Sequence, residues 1–175
     1  MAELILKAET IGSPLGDLFL VMSGSDIVGL DFADRREHGR CWRERRFGDC
    51  RVELGDCGDA AAGLRAYLDG DLAACDALSI DAGGTPFQRD VWSAMRRVPS
   101  GETTTYAKLA AAIGRSSGAA RAVGHAVGAN PIAILLPCHR VVGTGGGLTG
   151  FAGGLDRKRW LLDHEAAASG LFKKC

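Results

Sequence analysis

The adjacent glycines Gly83-Gly84 constrain the fold of this chain more than any other feature, because the character of the sequence changes across them. Residues 1–83 hold nine Lys/Arg and sixteen Asp/Glu, a net charge of −7, whereas residues 84–175 hold twelve and five, a net of +7. Glycine interrupts helix and strand patterns alike, and a reversal of charge at such a break marks two subdomains. The expected division is an N-terminal domain of residues 1–83 and a C-terminal domain of residues 84–175. The chain has 175 residues, 46% of them hydrophobic, which is enough to bury a core in each part. Overall neutrality conceals the asymmetry: the C-terminal half carries the surface to which phosphates would be drawn.

The N-terminal part reads first as β-structure. The runs LILKAETI and DLFLVM are separated by Gly12-Ser13-Pro14-Leu15-Gly16, and DIVGLDF follows Gly24-Ser25. Strands punctuated in this way fit a three-stranded antiparallel meander. Residues 34–58, rich in Arg, Asp and Gly without clear periodicity, are expected as a long loop with little fixed structure. Between Asp59 and Asp69 the residues Leu64, Tyr67 and Leu68 share a helical face, and Gly70 is the stop signal.

The opening MAELILKAET is too acidic and too little apolar for a signal peptide, and the chain has no run of about 18 apolar residues to cross a bilayer. The cytoplasm is therefore the expected location. In that reducing setting the six cysteines, Cys41, Cys50, Cys57, Cys75, Cys138 and Cys175, read as thiols. None forms a CxxC pair, and the intervals among His38, Cys41, Cys50 and Cys57 are too irregular for a zinc site, so no metal and no cofactor is expected.

In the C-terminal part Thr85-Pro86 supplies an N-cap followed by proline at the first helical position. Phe87, Val91, Trp92, Met95 and Val98 then form an apolar stripe until Pro99, and Trp92 reads as core. A short helix Tyr106–Ile113, a turn at Gly114–Gly118 and a second helix from about Ala119 to Ala129 make the pattern of a helix-turn-helix, although helical hairpins are also ordinary packing units. The second helix is nearly bare: Ala119, Ala120, Ala122, Gly124, Ala126, Gly128 and Ala129. Glycine costs about 1 kcal/mol relative to alanine inside a helix, so two of them imply a close approach to another surface. Reading base edges in the major groove would require long polar side chains; sequence-tolerant insertion into a narrow groove would not. Tight helix–helix packing explains the composition equally well.

After Asn130-Pro131 comes Ile132–Leu136, an apolar stretch of strand length, and then Pro137-Cys138-His139-Arg140-Val141-Val142. A thiol beside an imidazole and a guanidinium has the surroundings of a reactive cysteine. Neighbouring side chains diverge, so a bridging water rather than direct contact would carry a proton from Cys138 to His139. An inert buried cysteine followed by a surface histidine is the competing reading. The glycine-rich stretch Gly143–Gly154 reads as a pocket loop or wing.

These residues, with Gly150-Phe151-Ala152-Gly153-Gly154 and Lys158-Arg159-Trp160-Leu161-Leu162-Asp163-His164-Glu165, closely resemble the O6-alkylguanine-DNA alkyltransferases. The resemblance extends back through Thr85-Pro86-Phe87-Gln88, Val91-Trp92, Thr105-Tyr106 and Ala119-Ala120-Arg121-Ala122-Val123-Gly124, covering about residues 85–165; the N-terminal part matches only in its Ser13-Pro14-Leu15-Gly16 turn and strand pattern.

The resemblance implies an α/β (α+β) chain: an N-terminal sheet with a helix, ribonuclease-H-like, and a helical C-terminal domain of winged-helix type. It implies direct-reversal repair, with a methyl or alkyl group passing from O6 of guanine, or also O4 of thymine, to Cys138 and spending the protein. His139 would take the thiol proton through water and Glu165 would orient that imidazole. Tyr106 would protonate or hydrogen-bond guanine N3, and Arg121 would replace the extruded nucleotide. Ala120 and Gly124 would lie on the minor-groove face of the recognition helix. Asn130 would tie that helix to the active-site strand. The carbonyls of Cys138 and Val141 would accept from the guanine amine, Phe151 would wall the pocket, and the amide of Ala152 would donate toward O6. Phe151 stands where tyrosine is frequent and Ala152 where some members carry serine, which bears on the range of alkyl groups accepted. The implied partner is double-stranded DNA containing O6-alkylguanine, bound in the minor groove with base flipping, by a monomer or by several molecules cooperatively. Two readings from other classes compete: a DNA-binding module without chemistry, and a cysteine hydrolase or thiol-redox enzyme.

Overall fold

The structure is a computed structural model describing residues 4–170, which divide into two compact units at Gly83/Gly84. Cys175 lies outside the described residues.

The first unit is built on a four-stranded sheet in the order β3-β2-β1-β4. Strands β1 (Leu4–Ile11), β2 (Leu18–Ser23) and β3 (Asp26–Phe32) form the expected antiparallel meander, with a register shift at Val21/Met22. The alternation that marks them in the sequence is the alternation of burial: Leu6, Ala8 and Ile11 in β1, and Leu18 and Leu20 in β2, are at most 1% exposed.

The loop expected over residues 34–58 is not there. A 3-10 turn at Ala33–Arg35 leads into helix α1 (Arg36–Phe47), and Cys50–Leu54 forms β4, which pairs parallel with β1. Strand β3 also runs parallel to β1, so the chain must cross the sheet between β3 and β4, and a helix is the usual crossover. Trp42 and Phe47 of α1 pack against Leu6, Ala8, Val21 and Val28. Arginine and glutamate make up most of the remainder, good helix formers that carry no apolar period, with His38, Gly39 and Cys41 among them. Arg40 pairs with Glu37 (2.9 Å) and Glu44 (3.7 Å), and Arg46 lies over both rings, 5.2 Å from Trp42 and 4.6 Å from Phe47. Helix α2 (Gly58–Leu68) buries Ala60, Ala61, Leu64 and Tyr67. At its start the Cys57 amide donates to Glu9 of β1 (2.6 Å), which also pairs with Arg65.

The second unit opens with α3 (Pro86–Arg96), whose Thr85 cap is a full capping box: the Gln88 amide donates to Thr85 Oγ1 (3.2 Å) and the Thr85 amide to Gln88 Oε1 (2.9 Å). Val91, Trp92, Ala94 and Met95 are buried, and Trp92 Nε1 donates to the Ala126 carbonyl at 2.8 Å. Strand β5 (Thr104–Thr105) runs directly into α4 (Tyr106–Ala112), and after a 3-10 turn at Ser117–Ala119 comes α5 (Ala120–Gly128). Strand β6 (Val141–Val142) pairs with β5, and α6 (Leu155–Ala168) ends the described chain.

Residues 132–136 are not the strand expected of them. They form successive turns, with Leu136 N–H donating to the Ile132 carbonyl (3.0 Å) and Ile134 held at φ 71°. Asn130 makes this possible, since its Oδ1 accepts from the Ile132 amide (2.9 Å) while its Nδ2 donates to the Leu136 carbonyl (2.7 Å). Backbone groups that a sheet partner would have satisfied are satisfied by one amide side chain. Asn130 thus ties the end of α5 to a folded turn rather than to a strand.

Candidate active site

Cys138 opens a 3-10 turn, Cys138–Arg140, that the Asn130-braced segment delivers into β6. The pairing of Thr104 with Val141 and of Thr105 with Val142 brings the start of α4, and Tyr106 with it, alongside that turn. Cys138 is half-buried and its thiol is not in a disulfide; the residues that follow it, His139 to Val142, are buried. His139 and Glu165 have 0% exposure, so the histidine is not a surface residue and the carboxylate is not a solvated helix end.

His139 Nε2 lies 2.8 Å from Glu165 Oε1. Its partner there is a carboxylate, so Nε2 carries the hydrogen and Nδ1 keeps the lone pair. Nδ1 is buried and makes no hydrogen bond within the described residues. Glu165 in turn accepts from Arg140 Nε (3.0 Å to Oε2) and Nη2 (2.8 Å to Oε1) and from the Gly101 amide (3.1 Å to Oε2). Burial pushes the Glu165 carboxyl up, but the hydrogen bonds and charges of His139 and Arg140 outweigh it and hold the group well below the usual carboxylate range. Burial pushes His139 down, with Arg140 and Lys158 adding to the effect, against the opposing pull of Glu165. The arrangement is a neutral imidazole with one vacant basic nitrogen, oriented by an ionised carboxylate.

Lys158 was not singled out in the sequence, yet it is fully buried. Its ammonium donates to the carbonyls of Val141 (2.6 Å) and Thr149 (2.8 Å), fastening the glycine-rich loop to the turn that carries Cys138. The Tyr106 hydroxyl reaches the same Thr149 carbonyl at 3.5 Å. The Val141 carbonyl is thus held in place by the Lys158 ammonium. Arg140, the guanidinium expected to favour a thiolate at Cys138, is turned instead onto Glu165, is 8% exposed and further donates to the Val98 carbonyl (2.5 Å) and Ser100 Oγ (2.8 Å). A lysine or arginine inside an otherwise ordinary helix or motif gives no sequence signal of burial, because the partners here are backbone carbonyls and a distant carboxylate.

Tyr106, Ala120, Arg121, Gly124, His125 and Gly128 line a shallow groove on the outer face of α5. Arg121 is exposed, and a Cβ added to Gly124 would stand 3.7 Å from the Tyr106 ring. The absence of side chains along α5 thus opens a surface on one side, while Val123, Ala126 and Val127 pack inward on the other. Phe151 is half-buried and Ala152 exposed, in the turn closed by Gly154 N–H on the Phe151 carbonyl (2.9 Å) just before α6. Among the described residues no group of His, Cys, Asp and Glu is arranged to hold a metal ion, and no helix is long and apolar enough to cross a membrane.

Residues 86–167 match the family model described as 6-O-methylguanine DNA methyltransferase, DNA binding domain. Over 164 residues the chain is 47% identical to the methylated-DNA–protein-cysteine methyltransferase of Salmonella typhimurium, covering 91% of this chain and 95% of that protein. The protein of the same name from Mycobacterium tuberculosis is 43% identical over 166 residues, covering 92% and 93%. Among solved structures, Mycobacterium tuberculosis O6-methylguanine methyltransferase aligns with a TM-score of 0.74 at 39% identity, over 93% of this chain and 94% of that one. The complex of Mycobacterium tuberculosis OGT with DNA aligns with a TM-score of 0.77 over the same shares.

Proposed function

This chain belongs to the methylated-DNA–protein-cysteine methyltransferase family, and from that premise we propose that Cys138 is the sulfur that takes the alkyl group. The activity is direct-reversal DNA repair: the group leaves O6 of guanine for a cysteine of the protein. The observation that carries the assignment to Cys138 is the buried chain of hydrogen bonds behind it, which ends in a vacant His139 nitrogen.

The thiol proton passes through a water molecule to His139 Nδ1, and the Nε2–H bond to Glu165 steadies the imidazolium that results. The thiolate attacks the alkyl carbon in line, the S–C bond forms as the C–O6 bond breaks, and the electron pair goes to guanine. Tyr106 supplies a proton at N3, and the proton held on His139 restores the phenol by way of solvent. The product is a thioether that water does not cleave, so each molecule acts once.

The DNA lies along the groove of α5, its minor groove against Ala120, Gly124 and Gly128. Arg121 fills the place of the extruded nucleotide, offsetting part of an unstacking cost of a few kcal/mol. Asn130 keeps α5 and the reactive turn in register. The carbonyls of Val141 and Cys138 receive the guanine amine, Phe151 walls the base, and the Ala152 amide points toward O6. One chain supplies every one of these groups, which favours a monomeric repair unit. A thiol that must stay reduced until it meets a lesion suits the cytoplasm.

Incubation with a duplex containing one O6-methylguanine should add a single methyl mass to the peptide carrying Cys138 and to no other. Continued clearance of the lesion by a Cys138→Ala protein would overturn the assignment.

A further inference from the structure

We propose that Arg140 is the positioning residue that keeps His139 vacant as a base, by taking a share of Glu165 that would otherwise draw a solvent proton onto the imidazole. The inference rests on the assignment of Cys138 and His139 above, and it concerns a residue outside the thiol, imidazole and carboxylate.

Arg140 places Nε and Nη2 on the two oxygens of Glu165, with Nε also 3.3 Å from Oε1. The guanidinium is itself pinned from behind by the Val98 carbonyl and Ser100 Oγ, so its fork cannot swing away. The Gly101 amide also donates to Oε2, so His139 shares the carboxylate with both the guanidinium and a backbone amide. An arginine that reaches both oxygens of a buried carboxylate neutralises it in place.

Every charged or titratable group around His139 enters the balance. Glu165 of α6 attracts a proton to the ring; Arg140 on the same turn and Lys158 of α6 repel it; Cys138 is the donor. Removal of Arg140 cancels one repulsion and frees the whole carboxylate charge to act on the imidazole. His139 would then bind a proton from solvent at a higher pH. In the intact site the S–H bond of Cys138 breaks and an N–H bond forms at Nδ1, with the intervening water accepting one proton and giving up another. In the variant that nitrogen is already protonated over the lower part of the pH range, and the Cys138 proton must leave to solvent instead.

The test is the pH profile of Cys138 alkylation, followed by mass at the Cys138 peptide, for the wild type, Arg140→Met, Arg140→Lys and Ser100→Ala. Two reagents are used: a duplex bearing O6-methylguanine, and iodoacetamide, which reports thiolate without needing DNA. Arg140→Met should move the acid midpoint upward by about one pH unit, a tenfold change in proton affinity, with both reagents. Arg140→Lys should move it less, because a single ammonium keeps the charge without the fork. Ser100→Ala, which loosens the guanidinium without removing it, should move it least and in the same direction. An Arg140→Met or Arg140→Lys protein whose active fraction falls while the midpoint stays fixed would reduce Arg140 to a structural residue and overturn the proposal. If Arg140→Met does not fold, an unmoved midpoint in both other variants overturns it equally. Failure of the wild type to accept a methyl group at Cys138 would instead overturn the assignment of the site.

Discussion

His139 and Glu165 both resist protonation in the folded state, and the sign of the consequence is the same for each. Burial holds His139 below its ordinary value of 6.5. Its contribution to stability is therefore complete above that value and is lost as pH falls below it. Glu165, depressed from 4.5 by His139 and Arg140 in spite of burial, contributes fully above 4.5 and loses that contribution as pH falls toward its folded value. Calorimetry should show melting temperature declining in two stages on acidification, the first beginning below 6.5, and His139→Gln should remove that first stage. Equal decline of wild type and variant between about pH 7 and pH 5 would contradict it. Elsewhere in the second unit Gly84 sits at φ +81°, where an added Cβ would come within 2.6 Å of the Trp92 ring. Gly84→Ala should cost about 1–3 kcal/mol, measured by urea unfolding, without touching a reacting group.

At the scale of elements, each helix is only as legible as its burial is one-sided. Helix α3 announced itself because Thr85 and Pro86 cap it and Val91, Trp92 and Met95 return at helical spacing. Thr85→Ala should lower stability by about 1 kcal/mol and leave methyl transfer intact, which thermal melts beside single-turnover assays would check. Helix α1 stayed hidden because two aromatic rings and the stems of arginines do its packing, and neither shows as a stripe. The turns at residues 132–136 read as a strand because five buried apolar residues carry no period; what folds them is the side chain of Asn130, whose two hydrogen bonds leave no trace in the apolar pattern. Among site residues, the thiol, imidazole and carboxylate were legible through their motif, whereas Lys158 and the reach of Arg140 to Glu165 needed the fold. Helix α5 allows a direct check of its bareness. Gly124→Ala fits at 3.7 Å from Tyr106 and should stabilise the helix by about 1 kcal/mol. Gly124→Leu should weaken duplex binding strongly while leaving alkylation of Cys138 by iodoacetamide unchanged.

For the whole molecule, the opposite charges of the two halves of the sequence predict how it meets DNA. Residues 84–175, with a net charge of +7 from the Lys/Arg and Asp/Glu count, should bind duplex with an affinity that falls as salt rises, since phosphate contacts release counterions. Titrations at two salt concentrations, with Arg121→Ala alongside, would test this; a salt-independent affinity would remove DNA from the basic half. The left-handed pair Gly83-Gly84 marks the division between the units, and Gly84 is exposed although a side chain there would strike Trp92. A survey of every possible replacement along the chain would therefore flag that surface position as intolerant, with the profile of a functional residue. The cause would be geometry alone: no ligand need ever touch it for evolution to be left without a choice there.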